Sequence, residues 1–214
     1  MLGRQNDVLC RFLGDLRGRK VLDAGGGHGQ NAESVLSGGG EYTALASSPD
    51  CDGMLRKKLA ELSADPSDAI KYGGLWKFPF PDRSFDMAVS FRIISHVPDW
   101  RLFLGELCRV ASDRVVIDFA PAARPALEKA AFLIKGRFEK ASRDFTTQSA
   151  PEIAAAAGGS GFYLEALDRQ FILPMVAHRL AGGAFFGMER AGARLGLTRF
   201  LGGPAVALLK RKEI

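Results

Sequence analysis

The most informative part of the sequence is Val21-Leu22-Asp23-Ala24-Gly25-Gly26-Gly27-His28-Gly29. An apolar run meets an acid, and glycines follow the acid at alternating positions. This order is typical of a buried parallel strand that enters a turn, and open α/β sheets bind ligands where their strands end. The glycines leave the backbone bare, so that a ligand can approach it closely and the chain can adopt positive φ. The stretch therefore predicts a strand followed by a ligand-binding loop.

The spacing of the glycines narrows the class of ligand. A dinucleotide fingerprint needs Gly-x-Gly-x-x-Gly, and counting from Gly25 and Gly27 its third glycine would fall on Gln30. A pyrophosphate also prefers bare amides at a helix N-terminus to a carboxylate just before the loop. The spacing therefore disfavours a nucleotide-dependent oxidoreductase, and Asp23 suits a cationic or amino-bearing ligand. A tight strand-to-helix turn without a ligand is the alternative.

Two motifs carry a resemblance to a known family. The Asp-x-Gly-x-Gly-x-Gly spacing resembles motif I of class I S-adenosylmethionine (SAM)-dependent methyltransferases. The passage 78–99, which begins Phe-Pro-Phe-Pro-Asp-Arg-Ser-Phe-Asp and ends His-Val-Pro-Asp, is similar to a run in the type 11 group, which includes ubiquinone- and menaquinone-biosynthesis enzymes. Glu106-Leu107-Cys108-Arg109-Val110 resembles that group's next helix. The resemblance covers about 21–119, with its motifs in the right order.

Strands and helices alternate along the whole chain, which predicts an α/β, Rossmann-like sheet with helices on both faces. We expect seven strands, mostly parallel, at 20–24, 42–46, 70–73, 85–90, 114–119, 162–173 and 205–210. We expect helices at about 4–16, 30–36, 50–63, 100–110 and 121–140, and a short one from Pro151. Residues 1–214 are expected to form one domain. Residues 174–203 are too long for a simple hairpin loop, so we expect a helical insertion there, either a lid or a membrane-facing segment.

Composition and charge limit the cellular location and the classes of partner that we expect. The net charge is +5, and seven basic against two acidic residues from Phe171 onward account for the whole excess. A basic face of this kind could meet anionic lipid, nucleic acid or an acidic substrate, or it is an ordinary solvated surface. The three cysteines form no Cys-x-x-Cys pair and are expected to be free, buried thiols. Without a signal-peptide core near the N-terminus, we expect a cytoplasmic location, with peripheral membrane contact through 174–203 as an open alternative.

The resemblance implies SAM as the cofactor and a small molecule as the methyl acceptor, with O- or C-methylation favoured. In the family, the glycine loop carries the amino-acid portion of SAM, the motif I acid lies near its ammonium group, and the end of strand four lies near the methionine part and the acceptor. The cofactor-binding residues implied here are Asp23, Gly25, Gly26, Gly27, Gly29, Ser47, Gly74, Leu75, Ser90 and Phe91.

Two departures from the family pattern concern the other half of the cofactor. The family usually ends strand two with an acid that binds the ribose hydroxyls, but here Ala46 occupies that position and Ser47 follows it. A hydroxyl is a weaker hydrogen-bond partner than a carboxylate. The adenine-side acid aligns with Gly73 or Gly74. A non-catalytic relative that serves as a binding partner is therefore the alternative function, and the acid-free strand end would also tolerate a phosphate.

Two side chains near the end of strand four are the catalytic candidates. His96 could act as a general base, because a neutral imidazole accepts a proton near neutral pH, or it satisfies backbone groups at a helix start. Arg92 could pair with an acidic substrate group, or it forms an ion pair with Asp99 or Glu106. Ser90-Phe91-Arg92-Ile93 stands where base-methylating enzymes carry Asp/Asn-Pro-Pro-Tyr, so nucleic acid is disfavoured as a substrate. The sequence offers no metal constellation and leaves the oligomeric state open.

Overall fold

The structure, a computed structural model, describes residues 2–26, 28–121, 146–169 and 204–213. Seven strands form one sheet in the order β3-β2-β1-β4-β5-β7-β6. Their bounds are β1 Lys20–Ala24, β2 Glu41–Ala46, β3 Ile70–Tyr72, β4 Phe85–Ser90, β5 Ala111–Phe119, β6 Phe162–Arg169 and β7 Ala205–Arg211. Strand β7 runs antiparallel to both of its neighbours, and the other neighbouring pairs are parallel. The predicted mostly parallel, Rossmann-like sheet is confirmed.

Helices cover both faces of this sheet. Their bounds are α1 Leu2–Leu13, α2 Ala32–Ser37, α3 Gly53–Glu61, α4 Pro66–Ala69, α5 Trp100–Val110 and α6 Ala150–Gly159, with 3-10 turns at Pro49–Cys51 and Ile94–His96. Buried side chains of α1, α2 and α3 pack in one apolar cluster, and those of α5 and α6 pack in a second cluster on the opposite face. The strands alternate between the clusters, so that Val21 joins the first and Leu22 the second. Burial on both faces explains why the central strands are almost continuously apolar.

Several element boundaries differ from the predicted ones. Helix α1 ends at Leu13 because Gly14 adopts a φ of 73° and its N–H donates to the carbonyl of Cys10 at 3.0 Å, a left-handed C-terminal cap. The helix predicted at 50–63 is divided into a 3-10 turn and α3, and the helix after the glycine loop begins at Ala32. Helix α4 was not expected, although Asp65, whose carboxylate accepts from the Ser67 N–H at 2.8 Å, is an N-cap signal.

The expectation of buried thiols is correct for Cys108 and wrong for Cys10. Helix α1 is amphipathic and turns Leu9, Phe12 and Leu13 toward the sheet, so Cys10 lies on its solvent side.

Some expectations fall outside the described residues. These are the helix at 121–140, the end of strand six beyond Arg169 and the insertion at 174–203. Among the described residues, no helix has the length and apolar character needed to cross a bilayer.

A capping box at the start of α6 gives a test of the local fold. The Ser149 hydroxyl accepts from the Glu152 N–H at 3.4 Å, and the Glu152 carboxylate accepts from the Ser149 N–H at 2.8 Å. Ser149→Ala should lower the free energy of unfolding by about 1 kcal/mol in urea titrations, because an amide at the helix start loses its acceptor. Glu152→Gln should lose less, since an amide oxygen can still accept. Equal losses in the two variants would contradict this role for Ser149.

Candidate active site

The loop after β1 is shaped by glycines that tolerate no side chain. Gly25 adopts a φ of 83°, and its N–H donates to the carbonyl of Leu45 at 3.0 Å, which ties the loop to the end of β2. A Cβ atom at this position would lie 2.5 Å from Cγ1 of Ile93. The loop closes on itself where the Gly29 N–H donates to the Gly26 carbonyl at 2.8 Å. The backbone is thus bare and fixed at the carboxyl end of β1.

The carboxylate of Asp23 lies directly beneath this loop. Asp23 is 1% exposed, and a Cβ atom at Gly26 would lie 2.3 Å from Oδ2 of Asp23. The Tyr42 hydroxyl donates to Oδ2 at 2.8 Å, and the Asn31 amide lies 3.2 Å from each carboxylate oxygen. Burial raises the pKa of Asp23 to about 6, against the opposing effects of the Tyr42 and Asn31 hydrogen bonds and of the Arg92 charge. A buried, titratable acid therefore underlies the glycine loop.

The register of the sheet explains how Tyr42 reaches Asp23. Ala44 of β2 pairs directly with Asp23, and Tyr42 precedes Ala44 by two residues, so the three side chains lie on the same face. The tyrosine ring is 6% exposed, and its hydroxyl extends along the sheet to the acid.

Arg92 lies just after β4 and has a backbone conformation that few residues other than glycine adopt. Its φ is 62°, a left-handed value that is unusual for a residue other than glycine. The Arg92 N–H donates to Oδ1 of Asp118, which stabilises this conformation. Its guanidinium is exposed and donates to the side-chain oxygen of Gln30 beyond the glycine loop. Such local strain is often kept where it positions a functional group.

The structure gives Arg92 a different side-chain partner from the two acids considered in the sequence. Glu106 accepts hydrogen bonds from the Arg109 guanidinium at 2.7 and 2.8 Å, and Asp99 precedes α5 without an ion pair to Arg92. The ion pair of Arg92 with Asp99 or Glu106 is therefore absent from the described residues, and the guanidinium stays available at the cleft.

A second buried acid stands on the other side of Arg92. Asp118 is 5% exposed at the end of β5, and burial raises its pKa to about 6, opposed by the Arg92 N–H and the Arg92 charge. Strand β4 lies between β1 and β5, so Asp23 and Asp118 flank the Arg92 cation at the same edge of the sheet.

A small cleft opens at the carboxyl ends of β1 and β4. Its lining residues are Asp23, Gly25, Gly26, His28, Gln30, Asn31, Phe91 and Arg92. Five of the predicted site residues are among them. Gly27 lies outside the described residues.

The other predicted site residues do not line this cleft. The Ser90 hydroxyl is buried and donates to the carbonyl of Ala24 at 2.8 Å, which joins β4 to β1. Ser47 and Gly74 are exposed near the ends of β2 and β3, and Leu75 is half-buried. His96 is exposed in the 3-10 turn after β4.

Three residues of the site were not predicted from the sequence. Asn31 and Tyr42 bind the Asp23 carboxylate, and Asp118 holds the Arg92 backbone. Asp118 had a signal, since it is an acid that interrupts the apolar second half of β5 near the end of the strand. Tyr42 had none, because its role depends on the register between β1 and β2.

The region that holds this site is similar in sequence to known methyltransferases. Residues 22–117 match the sequence family described as "Methyltransferase domain". A malonyl-[acyl-carrier protein] O-methyltransferase of Erwinia billingiae (strain Eb661) is 31% identical over 123 residues, which are 58% of this chain and 47% of the relative. A demethylmenaquinone methyltransferase of Tropheryma whipplei (strain Twist) is 30% identical over 101 residues, 47% of this chain and 41% of the relative. The chain thus spans less than half the length of these curated relatives.

The fold also matches solved structures. Magnesium protoporphyrin IX methyltransferase (ChlM) from Synechocystis PCC 6803, solved with bound S-adenosylhomocysteine (SAH), superimposes with a TM-score of 0.69 at 17% identity, covering 98% of this chain and 83% of that one. Residues 22–117 are therefore similar in sequence to a methyltransferase domain, and the sheet has the fold of class I SAM-dependent methyltransferases. The resemblance inferred from the two sequence motifs is confirmed.

The contact between Gly26 and Asp23 predicts a position that tolerates no methyl group. Gly26→Ala should lower the free energy of unfolding by about 1–3 kcal/mol, because the added Cβ would overlap the carboxylate beneath the loop. Gly53→Ala is the matched control, since a Cβ at Gly53 meets nothing within 4 Å. Thermal or urea denaturation of both variants checks this, and a loss in Gly53→Ala as large as in Gly26→Ala would contradict it.

The raised pKa of Asp23 predicts a pH dependence of stability in the unliganded protein. Because the folded-state pKa lies above the ordinary value of 3.8, the stabilisation from this group is full below about pH 4 and is lost as pH rises through about 6. Asp23→Asn removes this loss, worth about 3 kcal/mol, so the variant should be the more stable protein at neutral pH.

Urea titrations of both proteins from about pH 4 to about pH 8 measure the difference. Asp118 has a similarly raised pKa and is unchanged in the variant, so the difference between the two curves reports Asp23 alone. Parallel curves would show that Asp23 does not titrate in this range.

Proposed function

We propose that the protein transfers the methyl group of SAM to a small-molecule acceptor by O- or C-methylation. The observation that carries this proposal is the buried carboxylate of Asp23 beneath a bare glycine loop at the carboxyl end of β1. The methyltransferase domain match over 22–117 supports SAM as the cofactor.

The Asp23 carboxylate is suited to the amino-acid portion of SAM. An ammonium group brought next to it would favour the ionised form of an acid whose pKa burial has raised to about 6. Because Tyr42 and Asn31 already hold its oxygens, the carboxylate does not need to reorganise when the cofactor binds. Gly25 and Gly26 have no side chains, so the cofactor can approach the backbone of the loop.

Catalysis then rests mainly on positioning. The sulfonium of SAM is already activated, and holding an acceptor atom in line with the methyl carbon supplies most of the rate. Phe91 is 4% exposed and forms an apolar wall of the cleft, while the Arg92 guanidinium lies at its mouth. This arrangement supports an acceptor with an apolar body and an anionic group. His96 is the proposed general base, and residues 174–203 are the proposed lid, with membrane contact as the alternative.

The relatives do not select one acceptor. One is named for malonyl-[acyl-carrier protein] and another for demethylmenaquinone, whose chemistries differ. Neither relative is named for a nucleic acid, which supports an acceptor of another class. The acceptor is proposed here only by class.

A second candidate function is a non-catalytic relative that binds a partner. Strand β2 ends in Ala46, which is 4% exposed, and Asp23 is the single carboxylate among the described residues that line the cleft. A ribose would therefore lack the acid that the family usually provides.

Calorimetric titration with SAM and with SAH separates the two functions. We expect micromolar dissociation constants for both ligands, equivalent to about −8 kcal/mol. A lack of heat at millimolar ligand would exclude the enzyme and leave the non-catalytic candidate.

The role of His96 requires a turnover assay. The release of SAH is followed with a panel of phenols, quinols and carboxylic acids. With an acceptor found, His96→Gln should lower kcat by about a hundredfold or more while the SAM dissociation constant changes less than about twofold. An unchanged kcat would remove His96 from the mechanism.

A further inference from the structure

A second cleft lies at the opposite edge of the sheet from the cofactor site. It opens between the turn before β4, helix α5, the end of α6 and the end of β7. Its lining includes Asp82, Arg83, Gly105, Arg109, Ser160 and Arg211. Because β7 runs antiparallel to β5, its last residues meet the amino-terminal edge, where β4 begins. None of the residues assigned to methyl transfer lies here.

The positive charges of this cleft are unequally compensated. Arg109 is fully paired, with Asp82 at 2.7 Å and with Glu106 at 2.7 and 2.8 Å. Arg83 and Arg211 have no carboxylate partner among the described residues. Burial lowers the pKa of Arg211, and the positive charge of Arg83 lowers it further. Two like charges are therefore held close together, and Asp82, whose charge opposes the lowering of the Arg211 pKa, is already paired with Arg109.

Part of the Arg211 guanidinium has a structural role, and part of it has none. Its Nη2 donates to the carbonyls of Cys108 and Ala111, both at 2.7 Å, at the C-terminal end of α5. The group stacks over the Phe162 ring at 4.5 Å from the centroid. Its Nε is buried and makes no hydrogen bond within the described residues. A buried donor without an acceptor is unfavourable, so the fold does not satisfy this guanidinium completely.

The walls of the cleft keep space for such a ligand. Gly105 lies in the middle of α5, where alanine is the better helix former, yet a Cβ there would meet nothing within 4 Å. Packing therefore does not require glycine at this position. Arg83 adopts a φ of 52°, a left-handed value, in the turn that brings its guanidinium to the cleft.

We propose that this cleft binds a phosphate-type oxyanion. The donors of Arg83, Arg211 and the Ser160 hydroxyl come from three different walls, an arrangement that suits a tetrahedral anion better than a planar carboxylate. Guanidinium groups make strong charge-assisted hydrogen bonds to phosphate, and an anion would relieve the repulsion between the two arginines. The phosphate is that of a soluble ligand or of a lipid headgroup.

The test is the thermal stability of the full chain in inorganic phosphate and in chloride at matched ionic strength. The wild-type protein should gain stability specifically from phosphate, since a ligand that binds only the folded state stabilises it. Arg83→Asn should raise the apparent dissociation constant for phosphate by about tenfold or more, and asparagine tolerates the positive φ at this position. Arg17→Gln, at a fully exposed arginine paired with Asp15, is the matched control and should change it by less than about twofold.

A second pair of variants does not depend on removing an arginine. Gly105→Glu places a carboxylate in the cleft and should abolish the phosphate response, while Gly105→Gln, of the same size and without charge, should keep much of it. The proposal is overturned if phosphate and chloride act alike, if Arg83→Asn behaves like Arg17→Gln, or if Gly105→Glu and Gly105→Gln respond equally.

Vesicle flotation identifies the source of the phosphate. Flotation with phosphatidylcholine vesicles that contain phosphatidic acid, lost in Gly105→Glu and kept in Gly105→Gln, would assign a lipid headgroup. A phosphate response without such flotation would assign a soluble ligand.

Discussion

The burial of the Asp23 carboxylate is the constraint on which the site depends. An acid that is 1% exposed in an apolar sheet needs partners, and Tyr42 and Asn31 supply them from β2 and from the residue before α2. The carboxylate in turn excludes any side chain at Gly26, so the loop above it must be bare. One buried carboxylate thus connects β1 with β2, the residue before α2 and the ligand loop.

The second acid extends this arrangement across the sheet. Asp118 at the end of β5 accepts from the strained backbone of Arg92, and the Arg92 guanidinium reaches back to Gln30 beyond the loop. The cation between two buried acids lowers the free-energy cost of ionising either one. The site is therefore a connected set of polar groups on four adjacent strands, and its buried acids lower the stability of the unliganded protein, which a bound cofactor can offset. Such a trade between stability and function is common in active sites.

The sheet, the loop and Asp23 could be predicted from the sequence because local sequence patterns encode them. Alternating strands and helices, an acid after an apolar strand and regularly spaced glycines are all readable over a few residues. The partners of Asp23 were not predicted, since Tyr42 lies 19 residues away and its contact needs the register of two strands. Of the two alternatives considered for Arg92, the ion pair with a nearby acid is wrong, because a left-handed backbone at a non-glycine residue has no sequence signal.

We propose that an ionised Asp23 beneath the loop binds the ammonium group of SAM. The decisive measurement is the SAM dissociation constant, determined by calorimetry from about pH 5 to about pH 8 in wild type and Asp23→Asn. We expect SAM to bind the wild type more tightly as pH rises, with a midpoint near the Asp23 pKa of about 6, and to bind the variant weakly at every pH. Equal affinity and an equal pH profile in the two proteins would contradict it.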